Sequence, residues 1–117
     1  MIDDKAIELG RQLGQTEEYK TLKRASERLR ADTEAQQQLH EVERLAAELE
    51  QTARAGHEPT SEDMERYERA AATVQASPVY QSMVAAQANF EKLMTRVNAK
   101  IYEGMQKGAA SPIITLS

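Results

Sequence analysis

The sequence predicts an all-α protein: an elongated, antiparallel bundle of about five helices, with one long C-terminal helix through which it associates. Three observations carry this expectation. Apolar residues recur at steps of three and four along nearly the whole chain, the spacing that gathers them on one helix face. No segment alternates with a strand's period of two, and the β-branched cluster Ile113-Ile114-Thr115 stands alone near the end. From Val79 to Glu103 no Gly or Pro interrupts the pattern.

Each helix carries its own punctuation. The first is expected from about Asp3 to Leu13, with Ile2, Ala6, Leu9 and Leu13 on one face and Gly14 where helices stop. Thr16 is placed to cap the second, whose stripe is Tyr19, Leu22, Ser26 and Leu29. Asp32 caps the third, which carries Ala35, Leu39, Val42, Ala46, Leu49 and Ala53 and stops at Gly56. Gly56-His57-Glu58-Pro59 is the clearest loop, and its shortness makes the third and fourth helices antiparallel neighbours. Thr60-Ser61-Glu62-Asp63 has the form of a capping box before Met64, Tyr67, Ala71 and Val74. Ser77 caps the fifth helix, and Pro78 takes the first helical position, where its missing N–H costs nothing. The short break there is expected to fold the fifth helix back on the fourth.

That last helix should run to about Lys107, with Val79, Met83, Ala86, Phe90, Leu93, Val97, Ile101 and Met105 along one face. Thirty helical residues span ~45 Å, whereas a compact domain of this size measures about 35 Å across. The helix therefore elongates the molecule or buries its stripe against a second chain. Residues 1–106 are read as a single helical domain and 107–117 as a flexible tail, with Ile113–Leu116 either frayed or docked.

The composition points the same way. Leu, Ile, Val and Phe make up 20 of the 117 residues, below the share of roughly one fifth expected of a folded chain. Eighteen alanines and five methionines supply much of the remaining apolar surface, and alanine buries little area per residue. A core this thin is marginal in a monomer and gains from association, so a homo-oligomer is expected, most simply a dimer, with room for other protein subunits. The net charge of −4 argues against a general polyanion partner. No stretch approaches 18 consecutive apolar residues and the start lacks a signal-peptide pattern, so a cytoplasmic protein without a membrane partner is expected.

The parts that catalysis or metal binding would need are missing from the pattern. The chain has no Cys, which removes disulfides, thiolate sites and cysteine nucleophiles. A di-metal bundle needs paired Glu-x-x-His motifs, but Gln37 precedes His40 and Arg54 precedes His57. His40-Glu41 could open a zinc-protease motif, yet Arg44 fills the second ligand position. His40 and Glu43 stand one turn apart, too few ligands for a site. The six serines fall at caps, on helix surfaces or in the tail, and the five glycines are isolated, so no nucleophile elbow or phosphate loop is present. No enzyme activity, metal or cofactor is expected.

Charge patterning is mostly that of solvated faces. Glu50–Arg54, Glu62–Arg66 and Glu65–Arg69 have the favourable i to i+4 order. Residues 41–68 hold nine acidic and three basic side chains, whereas Lys92, Arg96 and Lys100 form a row on the long helix. Lys20, Arg24 and Arg28 form another row on the second helix, the face on which an RNA-binding accessory role would rest. Glu17, Glu18 and Glu27 reduce the net charge there to +2, and phosphate binding scales with uncompensated charge. The candidate interface is instead the apolar run Met83, Phe90, Leu93, Met94, Val97 and Ile101.

Glu18-Tyr19 with Leu22-Lys23, then Asp32-Thr33-Glu34-Ala35-Gln36, then Gly56 with Pro59-Thr60, form an ordered set. Ser77-Pro78-Val79, Ala86-Gln87-Ala88-Asn89-Phe90 and Val97-Asn98 with Ile101 continue it, covering roughly Glu18 to Met105. This set resembles the YlbF/YmcA family of small bacterial helical proteins, and within it the YheA-like branch. The resemblance implies a helical fold that associates through its long helices and has no enzymatic activity. Its best-known members act in a cytoplasmic complex that influences competence, sporulation, biofilm formation and mRNA processing, and some hold iron–sulfur clusters through cysteines. Without cysteines, neither the cluster nor membership of that complex carries over to this chain.

Overall fold

Short polar side chains set the helix starts. Thr16 Oγ1 accepts from the Tyr19 amide at 3.2 Å, Asp32 Oδ1 from the Ala35 amide at 2.9 Å, and Thr60 Oγ1 from the Asp63 amide at 3.1 Å. Each satisfies one of the amides that the first helical turn leaves without a partner. The computed structural model describes residues 1–110, and among them are five helices and no strand. They are α1 (Ile2–Gly14), α2 (Glu17–Ala31), α3 (Thr33–Arg54), α4 (Ser61–Gln75) and α5 (Pro78–Ala110). The Ser77 hydroxyl accepts from the Tyr80 amide at 3.4 Å, at the start of α5.

The spacing of the breaks determines the architecture. Asp32 alone separates α2 from α3, and Ala76-Ser77 separate α4 from α5. Neither break is long enough to add a loop, so each acts as a bend within an arm. The real reversal is at 55–60, where Gly56 adopts φ 82°, a left-handed turn that suits a residue without Cβ. The result is one long helical hairpin, bent once in each arm. Its outer half pairs α3 with α4, and its inner half pairs α2 with α5.

Both pairs are antiparallel. Asp63 faces the groove beside Leu45 to Ala55, while Ala70 and Thr73 lie beside Glu34 to Glu41. In the inner half Tyr19 meets Phe90 and Glu18 reaches Arg96, while Lys23, Ser26 and Arg30 lie beside Met83 and Gln87. The expectation that α5 would fold back on α4 is corrected here: the two touch only around the bend, and α5 runs along α2. The reason is competition for faces. α3 already covers the α4 stripe around Val74, and the α5 stripe through Ala86 and Phe90 finds that of α2 instead.

A molecule two helices thick can cover only one stripe of each helix. Its extents are 69 × 36 × 19 Å and its radius of gyration is 21.9 Å, against about 13 Å for a compact chain of this length. Only Ala25, Ala35, Leu45, Val74 and Ala86 form a buried core among the described residues. Four of the five lie on the halves of α2, α3, α4 and α5 nearest the bends, where all four helices come together.

α5 also runs further than its glycines suggest, to Ala110. Residues 107–110, expected in the tail, are thus helical, and Ile113–Leu116 lies outside the described residues. Glu103 binds both Lys100 and Lys107 at 3.0 Å, which ties the last turns together across Gly104. Among the expected pairs, Glu50–Arg54 closes to 2.6 Å. Glu62–Arg66 and Glu65–Arg69 do not close, and Arg66 stands instead 3.8 Å from Asp63.

Candidate interaction surface

The apolar run on α5 divides into two parts according to what covers it. Met83, Phe90, Leu93 and Val97 are half-buried on the side where α2 packs. Phe90 in particular meets Tyr19 edge-on, with ring centroids 5.7 Å apart and planes at 60°. It is thus a partner within its own chain, held by α2. Met94 is half-buried at the margin of this zone, and Ile101 lies in the open.

Beyond Val97 the stripe leaves α2. The next apolar positions, Ile101 and Met105, each follow by four residues, and four helical residues turn 40° past a full circle. The apolar line therefore winds away from the α2 contact and into solvent. Ile101, Tyr102 and Met105 are 46%, 61% and 65% exposed, and Val84 is 46% exposed further back on the helix. α1 meets α2 only sparsely, makes no extended contact with α5 and buries none of its residues, leaving Ile2 and Ile7 exposed. Val84 and Tyr102 were not among the sequence candidates. Their signal was present but displaced by one position from the dominant stripe, which drew attention to the residues that α2 covers.

A groove of about 1000 Å³ runs on the other side of the α2–α5 pair, between Glu17, Glu18 and Thr21 and the α5 residues Asn89, Lys92, Leu93 and Arg96. Its charges are mixed, with Arg96 3.9 Å from Glu18. Two of the three basic residues in the α5 row are thus engaged with carboxylates, Arg96 with Glu18 and Lys100 with Glu103. Hydrogen bonds from Lys107 and Lys100 hold the Glu103 carboxyl below the usual carboxylate range. The same happens to Glu41, chiefly through its hydrogen bond with Arg44, whose guanidinium is pushed up in turn.

Lys20, Arg24 and Arg28 lie exposed on α2, and Arg24 donates to Thr21 Oγ1 at 3.3 Å. His40 and Glu43 are exposed on α3, and His57 is exposed after the Gly56 turn. Among the described residues no three His, Asp or Glu side chains gather as a metal site would require. None of the described helices is long and apolar enough to cross a membrane.

Comparison with known proteins bears on a chain whose most distinctive surface is the uncovered end of a long helix. A family model described as "Control of competence regulator ComK, YlbF/YmcA" matches residues 2–106. The chain belongs to the YlbF/YmcA family. Among its YlbF/YmcA relatives is a UPF0342 protein of Limosilactobacillus reuteri, 27% identical over 105 residues, covering 90% of this chain and 85% of that protein. A UPF0342 protein of Oenococcus oeni is 26% identical over 95 residues, covering 81% of this chain and 83% of the relative. The YlbF/YmcA match takes in all of α1 to α4 and most of α5, including the exposed Ile101, Tyr102 and Met105.

Proposed function

We propose that this protein is a non-enzymatic cytoplasmic regulator or scaffold that works as a homodimer and acts through protein–protein contacts. The control of competence named in the family description supports a regulatory role. One observation carries the reading: the single chain leaves too much surface uncovered. It exposes 9153 Å², whereas a compact monomer of 13.1 kDa exposes about 6,400 Å². Residues 111–117 account for about 1,000 Å² of the difference at most. An excess of roughly 1,700 Å² remains, more than the ~800 Å² that each partner of a standard protein–protein interface buries.

Dilution tests this reading. The melting temperature of a dimer-stabilised hairpin falls by several degrees as the protein is diluted a hundredfold, because association adds stability by mass action. A melting temperature independent of concentration would contradict it. A second reading, an RNA-binding accessory role, draws on the exposed row Lys20, Arg24 and Arg28. Glu17 and Glu27 are exposed on the same helix and weaken it. Salt-dependent RNA retention on filters would favour that second reading.

A further inference from the structure

We propose that α1 is a hinged strap that closes along the overhanging end of α5 in its own chain, setting Leu13 on Val97, Leu9 on Ile101 and Ala6 on Gly104. α1 has 13 residues and buries none of them, and a helix that short is marginal in water without tertiary packing. Its apolar residues nevertheless form one stripe, Ile2, Ala6, Leu9 and Leu13, at steps of four, three and four. Leu9 and Leu13 are half-buried, whereas Ile2 and Ala6 lie open. α5 has the matching shortfall. It continues from Asn98 to Ala110 past the stretch that α2 covers, a length of ~20 Å that equals that of α1.

The hairpin already sets the register. α2 runs antiparallel to α5 with Tyr19 on Phe90, and only Gln15 and Thr16 separate α1 from α2. Carried across that joint to within one residue, the same register places Leu13, Leu9, Ala6 and Ile2 beside Val97, Ile101, Gly104 and Gly108. These four α5 positions also step by four, three and four, so they share one face with Phe90. The two leucines meet Val97 and Ile101, apolar on apolar. Ala6 and Ile2 meet glycines, which let two helix backbones approach closely. Glycine weakens a helix interior, yet a Cβ added at Gly104 or Gly108 would meet nothing within 4 Å. Nothing in the open form calls for glycine there, and a closed α1 does. Charge favours the same contact weakly: α1 carries three acids and two bases, whereas Asn98–Ala110 carries two lysines and one glutamate. The closed strap covers Ile101 and the glycine face, and the open one offers them to another protein. α1 thereby governs access to this end of α5.

The absence of cysteine in the natural chain makes the closure directly readable. Ala6→Cys combined with Gly104→Cys in one chain, mildly oxidised, should close an internal disulfide, because the two positions then lie face to face. Glu8→Cys combined with Gly104→Cys should stay reduced, since residue 8 lies on the far side of α1 from residue 6. Hydrogen exchange gives a second readout. The α1 amides of the natural chain should exchange about tenfold more slowly than those of Gly104→Glu, whose side chain has open space in this structure but would be buried under a closed α1. Absence of the internal disulfide in the first pair would overturn the proposal, as would equal linking by both pairs. Disulfides formed only between chains would overturn it too, by showing that α1 is exchanged between copies. Equal α1 exchange rates in the natural chain and Gly104→Glu would show an unpacked helix and have the same consequence. The homodimer reading is tested separately, by native mass.

Discussion

The ring contact between Tyr19 and Phe90 is where the inner half of the hairpin is most open to measurement. The rings stand 5.7 Å apart at 60°, an edge-to-face arrangement worth about 0.5–1.5 kcal/mol beyond the area it covers. Tyr19 is 40% exposed, which places the coupling in the lower half of that range, about 0.5–1 kcal/mol. Phe90→Ala in a closed core would cost about 3–5 kcal/mol, and with the ring only half-buried about 2 kcal/mol is expected. For a domain of this size that lowers the melting temperature by about 8 °C. The assay is urea unfolding of Phe90→Leu, Tyr19→Leu and the double variant at one protein concentration, which isolates the pair from the loss of apolar area. A coupling indistinguishable from zero, or a Phe90→Ala cost under about 0.5 kcal/mol, would refute the packing of α2 on α5. In Phe90→Asp the new charge would face Tyr19 within the chain, so the α2–α5 pair would open before any effect on assembly could be read.

Leu45 is the largest of the five buried side chains and sits in the α3–α4 half, so Leu45→Ala should cost about 2–3 kcal/mol, the low end for Leu→Ala because an adjoining open groove lets the site relax. Calorimetry at fixed concentration checks it. Gly56→Ala should cost about 1 kcal/mol through backbone conformation alone, because φ is 82° and no atom lies within 4 Å of the added Cβ. An unchanged denaturation midpoint would show that the turn does not need that conformation. The Glu103 carboxyl should titrate below an ordinary glutamate by NMR, because Lys107 and Lys100 hydrogen-bond its charged form. Its folded pKa is depressed, so the small stability it adds is present above the unfolded pKa and lost as pH falls through the folded one. High salt should move the titration back toward the ordinary range.

Much of the fold was legible because its signals are local. Thr16, Asp32 and Thr60 are short oxygen-bearing residues placed before apolar runs, and each caps where the pattern places it. The Gly56 turn and the α3–α4 pairing follow from a short loop between two amphipathic helices. The partner of α5 was less legible, since any stripe of suitable width competes for it and only the assembled hairpin shows that α3 has already taken α4. The uncovered apolar surface was half legible for a related reason. Met83 and Phe90 stand out by size and spacing, yet that same stripe attracts α2. The exposed line through Val84 and Ile101 is sparser, with amides at Gln87 and Asn98, and its neighbours in sequence mask it. The end of α5 was misplaced by a few residues because Gly104 and Gly108 read as stops, whereas the Lys100–Glu103–Lys107 ion pairs span that stretch.

The central claim is that this hairpin is half of an object, and native mass tests it most directly. Sedimentation equilibrium of the full chain at micromolar concentration should give about 26 kDa, twice the 13.1 kDa of one chain, with dissociation appearing only on dilution. A mass of 13.1 kDa across the whole concentration range would contradict it.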